Sequence, residues 1–255
     1  MNRLTLLGTS AGIATGARAA SSYLLDLGEH AVLMDIGDGA TRNFLASGFK
    51  ADWVDTLVIT HTHADHVCGY GFFVQQRYRT KTDVPLNVYC PEEAIPLLKS
   101  IILHGYLFEE WMTFEIVYHP IRANQGIELD GVSLTFHPTS HLAKASPIIE
   151  QHGHALKAEC FAVHAVVKGI ALLYSADLGS LSDLMRIDGP IDWLLIETSH
   201  VKLDELWPWV EERGIRRVIL THIGAEFDPA AVQDAGKFTS AEVIVTDDLM
   251  SFAFD

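Results

Sequence analysis

Cysteine is scarce: Cys68, Cys90 and Cys160 are the only three among 255 residues, and no two have CxxC spacing. A sparse, odd, widely separated set excludes a disulfide framework and suits a reducing compartment, with free thiols packed as small apolar groups. Basic charge is scarce too. Eighteen Lys and Arg face 33 Asp and Glu, a formal charge of −15. A polyanion is met by basic surface, so nucleic acid is not expected as the main partner. No apolar run approaches the roughly 18 residues of a membrane span, and LTLL near the N-terminus is too short for the core of a secretion signal. The expectation is a soluble cytoplasmic protein without a membrane partner. The glycine-rich GTSAGIATG lacks the Lys-Ser/Thr ending of a phosphate-binding P-loop. Low-complexity segments, linkers and fixed-period repeats are missing, which leaves one domain over residues 1–255 as the simplest organisation.

What is present is apolar sequence in short runs. At 49% hydrophobic the chain can bury a large core. RLTLLG, SSYLLDL, AVLMDIG, TLVIT, LNVYC, VSLTFHP, CFAVHAVV, IALLYSA, DWLLIET, RRVILTH and EVIVTD read as strands with little alternation. PEEAIPLLKSIILHGY opens with proline and acidic residues, LDELWPWVEERG closes on Gly214, and DPAAVQDAGKF begins in N-cap order, so each reads as a helix. Strands in succession, then strands alternating with helices, predict an α/β protein of two mixed sheets with helices packed outside.

The runs end in a common way. TLVIT is followed by HTHADH, bringing His61, His63, Asp65 and His66; VSLTFHPTS is followed by His141. IALLYSA is followed by Asp177, DWLLIETS by His200, and RRVILT by His222. Open α/β sheets place their sites beyond the C-terminal ends of strands. In an extended loop His61 and His63, two apart, point to one side and can grip one ion, while Asp65 and His66 face elsewhere and can serve a second. Imidazole with carboxylate suits zinc, with manganese or iron as substitutes.

H-x-H-x-D-H after a buried strand, with LLGTSAG, SSYLLDLGEHAVLMDIGDG, YSADLG and LTHIGAEF elsewhere, resembles the metallo-β-lactamase superfamily over nearly the whole chain. The order resembles most closely the tRNase Z branch and the cyclic phosphodiesterase of the carbon–phosphorus lyase pathway. An aspartate at 177, where true β-lactamases have cysteine, sets that branch aside. The resemblance implies a four-layer αβ/βα sandwich. One divalent ion would be held by His61, His63 and His141, another by Asp65, His66 and His222, with Asp177 and a hydroxide between them. Two dications, less two aspartates and a hydroxide, leave a net positive centre for a small anionic substrate such as a phosphodiester.

His200 is the candidate general acid, because histidine titrates near neutral pH, and Glu197 is the candidate for orienting it. Asp65 counts as catalytic as well as metal-binding. Asp35 and Gly37 are expected to shape the loop beneath the ions. Arg77 and Arg79, with Lys81, offer a substrate anchor or a solvated turn. Tyr106, Phe108, Trp111 and Phe114 line a substrate mouth, pair two copies as a homodimer, or fill core. His152 and His154, beside Cys160, find too few companions for a zinc site. Only 35 residues separate His141 from Asp177, which leaves no room for the arm with which a tRNase Z grips tRNA. The resulting expectation is a phosphodiesterase for small or cyclic diesters. A thioester, lactone or sulfate-ester hydrolase, a tRNA 3′-end endonuclease and a non-catalytic metal-binding accessory are the alternatives.

Overall fold

The structure is a computed structural model that describes residues 2–254 apart from 234–236. The chain divides into two compact units, one of Met1–Ile121 with Asp247–Asp255, the other of Arg122–Thr246.

In the first unit six strands, β1 (Arg3–Gly8), β2 (Ser22–Asp26), β3 (Ala31–Met34), β4 (Val54–Val58), β5 (Leu86–Cys90) and β6 (Ile116–Pro120), form one sheet with the C-terminal strand β14 (Ser251–Ala253). The order is β14-β1-β2-β3-β4-β5-β6. The first three pairings are antiparallel and the last three parallel. Strands β2 and β3 are buried at every position, which explains why their sequences run apolar without alternation. Four helices accompany the sheet: α1 (Ala40–Ala46), α2 (Ala64–Val67), α3 (Tyr70–Thr80) and α4 (Ala94–His104). Helix α3 buries Tyr70, Phe73, Val74 and Arg77, and α4 buries Ala94, Leu98 and Ile102. These stripes have the three-and-four spacing of an amphipathic helix, and they join Leu33, Leu57, Ile59 and Val88 of the sheet in one core.

The second unit repeats the plan. Its strands are β7 (Gly126–Leu129), β8 (Val132–Pro138), β9 (Phe161–Val167), β10 (Ile170–Tyr174), β11 (Trp193–Glu197), β12 (Arg217–Thr221) and β13 (Glu242–Val245), in sequential order across the sheet. Again three antiparallel pairings give way to three parallel ones. The helices are α5 (Ser146–His152), α6 (Ser182–Met185), α7 (Leu203–Glu212) and α8 (Ala230–Gln233). Helix α7 buries Leu206, Trp207, Trp209 and Val210 against Leu194, Ile196, Val218 and Leu220. Asp228 accepts a hydrogen bond from the Ala230 amide at 2.8 Å, consistent with the N-cap order read there, while the part of that helix candidate at 234–236 lies outside the described residues. The shared plan places Asp35 after β3 and Asp177 after β10, the first strand of each parallel half. No helix among the described residues is long and apolar enough to cross a membrane. The three cysteines are free; Cys90 and Cys160 are buried, whereas Cys68 is exposed, a departure from packed thiols throughout.

Candidate metal centre

In the first unit β4 leads into Thr60 and His61, and from His63, in extended backbone, the chain turns into α2 at Ala64. That one helical turn carries Asp65 and His66. It lies hard against the turn after β3: a Cβ on Gly37 would stand 2.2 Å from the Asp65 carbonyl oxygen, so only glycine fits there. Beneath it Asp35 is fully buried and adopts a left-handed φ of 57°. Its carboxylate accepts from the Thr60 amide and the Thr60 hydroxyl, both at 2.8 Å, and from His66 Nδ1 at 2.8 Å. With its proton given to Asp35, the Thr60 hydroxyl accepts from His61 Nδ1 at 3.1 Å. Both imidazoles therefore carry hydrogen on Nδ1 and turn Nε2 outward as the ligating atom, the pattern by which supporting residues fix metal-binding histidines. The rings cluster, with centroids 4.7 Å apart for His61 and His63 and 4.2 Å for His61 and His66. His66 Nε2 and Asp65 Oδ2 are 3.4 Å apart. Two donors about 2.0–2.1 Å from a tetrahedral ion would be separated by about 3.3–3.4 Å. The donor set fits a divalent cation.

The second unit builds a matching group. Asp177 follows Ala176, itself at φ 48°, and His222 has φ 53°. Such non-glycine strain is tolerated where surrounding contacts over-determine the backbone. Asp177 Oδ2 lies 3.4 Å from His141 Nε2, and Oδ1 lies 3.5 Å from His222 Nε2. Each carboxylate oxygen thus faces a different imidazole. His222 Nδ1 meets the Ser199 hydroxyl at 3.1 Å, and that hydroxyl donates to the His222 carbonyl at 3.2 Å, which again directs Nε2 outward.

Glu197, 1% exposed, is a hub. One oxygen accepts from the amides of Ser199 and His200 at 2.6 and 2.8 Å; the other accepts from the Leu178 amide at 3.3 Å and from His200 Nδ1 at 3.1 Å. Hydrogen bonding to Glu197 raises the His200 pKa against the opposing effect of burial. The His200 side chain keeps 41% of its surface, and its ring centroid lies 4.8 Å from that of His141.

One supporting residue escaped the sequence reading. Asp183, buried on α6, accepts from the Ser140 amide and hydroxyl at 3.0 Å each and from the Gly179 amide at 2.9 Å. It ties the loop that ends in His141 to the loop that begins with Asp177. Gly179 is obligatory in this clasp, since a Cβ would sit 2.1 Å from the Ser140 hydroxyl. Nothing in SLSDLM marks the residue in advance.

The proposed substrate arginines are not brought to these groups. Arg77 is completely buried, donating to the Ala51 and Val54 carbonyls at 2.5 Å and to that of Val84, with its guanidinium 4.8 Å from the Phe114 ring. Burial lowers its pKa to about 10. This arginine is a structural clamp, and the reading of it as an anion anchor is corrected: both terminal nitrogens of its guanidinium donate to backbone carbonyls inside the core. Arg79 is exposed at the end of α3. Phe114 is core, whereas Tyr106 and Trp111 are 76% and 62% exposed. His152 and His154 are exposed and stacked, with centroids 5.9 Å apart.

Comparison with known proteins gives four further findings. The family described as "Anti-Pycsar protein Apyc1" matches residues 2–243. A ribonuclease Z of Mycobacterium sp. (strain KMS) is 27% identical, over 87% of this chain and 84% of that protein. Among solved structures, the metallo-β-lactamase fold protein YhfI from Bacillus subtilis superposes with a TM-score of 0.79 at 18% identity, covering 98% of both chains. A diphosphatase of the PhnP family does so with a TM-score of 0.69 at 18% identity, over 100% of this chain and 98% of that one. The fold is the metallo-β-lactamase fold.

Proposed function

This chain belongs to the Anti-Pycsar protein Apyc1 family of metal-dependent, metallo-β-lactamase-fold hydrolases, and from that premise we propose that it is a dinuclear phosphodiesterase that opens small cyclic phosphodiesters. The observation that carries the reading is Asp177, whose two oxygens face two different imidazoles at 3.4 and 3.5 Å. A carboxylate so placed could serve two cations, one beside each imidazole. On the resemblance, the residues that would hold them are His61, His63, Asp65, His66, His141, Asp177 and His222. Zinc is the ion proposed, from the nitrogen-rich donor set.

When bound, such ions supply an activated water and neutralise charge that builds on phosphoryl oxygens. The residues of the chain do the rest. Asp35, Thr60 and Ser199 fix the tautomers of the ligating histidines. Glu197 holds His200 by Nδ1 and raises its pKa, so His200 keeps a proton on Nε2 for the departing ester oxygen. Water adds across one P–O bond of the ring: its oxygen goes to phosphorus, the proton from His200 goes to the released sugar or alkyl oxygen, and the proton that the water loses restores His200. The product is a phosphomonoester bearing a free hydroxyl.

Two features favour a small substrate over tRNA. The stretch between His141 and Asp177 is consumed by a 3-10 turn at His141–Ala145, by α5, and by strands β9 and β10, leaving no arm. The charge of −15 provides no broad basic surface. The test is a panel of cyclic mononucleotides of every base, bis-p-nitrophenyl phosphate, thioesters, lactones, sulfate esters and a 3′-extended tRNA. Ring-opening of cyclic phosphodiesters at rates far above the rest is expected; turnover confined to carbonyl esters, or preferential tRNA cleavage, would overturn the assignment.

A further inference from the structure

A chain of net charge −15 repels anions at long range, so a site for one gains from a cation at its mouth. Arg77, clamped to backbone carbonyls, is not that cation. The second unit offers another. Lys144 stands three residues after His141 in the 3-10 turn His141–Ala145. Residues three apart in such a turn eclipse one another, so Lys144 shares the face that carries the His141 imidazole. The base of the turn is fixed. Ser140, just before it, is held by Asp183 and accepts from the Ala143 amide at 3.0 Å. Neither this turn nor helix α5, which continues it, has a buried residue. The ridge is not spent on core packing, and it is open to a ligand.

Charge singles out Lys144 on that ridge. The His200 ring lies 4.8 Å from that of His141, and the Lys144 ammonium is near enough to His200 to oppose the protonation that Glu197 favours. Lys144 is exposed and, among the described residues, has no ion-pair partner. Its neighbours are engaged: Lys202, two residues after His200, is 3.0 Å from Glu205, and Arg216 and Arg217 are tied to Asp192 and Glu242.

We infer that Lys144 is an anion-binding residue of this site, its ammonium holding a non-bridging phosphoryl oxygen of the substrate beside His200, an inference that rests on the phosphodiesterase reading. A cyclic phosphodiester spreads one negative charge over two such oxygens. An ammonium, a compact charge with three rotatable donors, suits them. The monoester product carries more charge, so the same contact holds it more tightly than the diester. A neutral lactone or thioester presents no charged partner, and Lys144 therefore selects anionic esters over neutral ones.

Calorimetric titration of inorganic phosphate into the metal-loaded full chain, together with steady-state kinetics on a cyclic mononucleotide, tests this. Lys144→Met keeps most of the aliphatic stem and removes the charge. It should weaken phosphate binding and raise KM by about tenfold each, the low end for a hydrogen bond between charged groups. Lys144→Arg should retain most of both. Lys202→Met removes the same charge two residues from His200 and should change neither. Metal content and far-ultraviolet circular dichroism of all three variants should match wild type. Phosphate affinity untouched by Lys144→Met, or weakened as much by Lys202→Met, would overturn the inference. A wild type that hydrolyses no cyclic phosphodiester, yet loses phosphate affinity with Lys144→Met, would overturn the phosphodiesterase reading and leave the anion site standing.

Discussion

Replacing Asp183 should separate holding the metal loops from forming them. The Asp183 carboxylate is buried and accepts three hydrogen bonds at 2.9–3.0 Å, two from Ser140 and one from Gly179. A hydrogen bond to a charged acceptor contributes about 1.5–3 kcal/mol, and a buried amide left without a partner costs about 1–3 kcal/mol. Asp183→Ala strands two amides and opens a small void, so a loss on the order of 3–5 kcal/mol follows. Asp183→Asn keeps the shape and one acceptor oxygen but loses charge assistance, which is worth roughly half of each bond. It should cost about 1.5–3 kcal/mol, a fall in melting temperature of about 4–10 °C for a chain of this size. The Asn variant folds, yet its clasp between Ser140 and Gly179 is slack, and His141 and Asp177 are less well placed. Metal affinity should drop about 10–100-fold, the range typical of residues that support ligands. Thermal denaturation with chelator-competition titration reads both quantities. An Asn variant that melts and binds metal like wild type would show that the clasp does not position the ligands.

Three other outcomes follow from the same geometry. His200→Ala should slow hydrolysis of alkyl or ribosyl phosphodiesters about 10²–10⁴-fold while sparing bis-p-nitrophenyl phosphate, whose leaving group needs no proton; equal losses on both would remove His200 from proton donation. Arg77→Ala leaves three buried carbonyls unmet and should destabilise the fold on the order of 4 kcal/mol without changing turnover by the molecules that remain folded, as a urea melt and kinetics at low temperature would show. Burial lowers the pKa of His137, further lowered by His164, and burial also lowers that of His164. The unfolded chain therefore binds protons more readily than the folded one, and stability held above about pH 6.5 falls as pH drops below that ordinary histidine value. Replacing both with Asn should flatten that slope in melts between pH 7.5 and about 5.5; an unchanged slope would place the acid sensitivity elsewhere.

The mixed sheets were legible because strands such as β3 and β10 are apolar on both faces. The ends of those runs also announced the histidines and aspartates, which a core does not otherwise admit. What stayed hidden had weaker local signals. Strands β6 and β7 are only partly buried, β14 has three residues, and all three sit at or beside a sheet edge. Helix α3 was obscured because its fourth inward position is Arg77, which makes a buried stripe look like a polar turn. The supporting contacts are hardest to read, since they join distant residues. Asp35 serves His66 across 31 positions, and Asp183 serves Ser140 across 43. Asp248 accepts from Thr9, Ala19 and Asn43 to shape the glycine-rich loop. Spacing along the chain carries no trace of such pairs.

Elemental analysis of the reconstituted protein, run alongside hydrolysis of a cyclic phosphodiester, bears most directly on the central claim. Two divalent ions per chain should be found. Chelation should abolish hydrolysis and readdition restore it, and Asp177→Ala should reduce the bound metal while the circular dichroism stays native. Fewer than two ions at saturation, or undiminished hydrolysis by metal-free protein, would contradict a dinuclear centre built on Asp177.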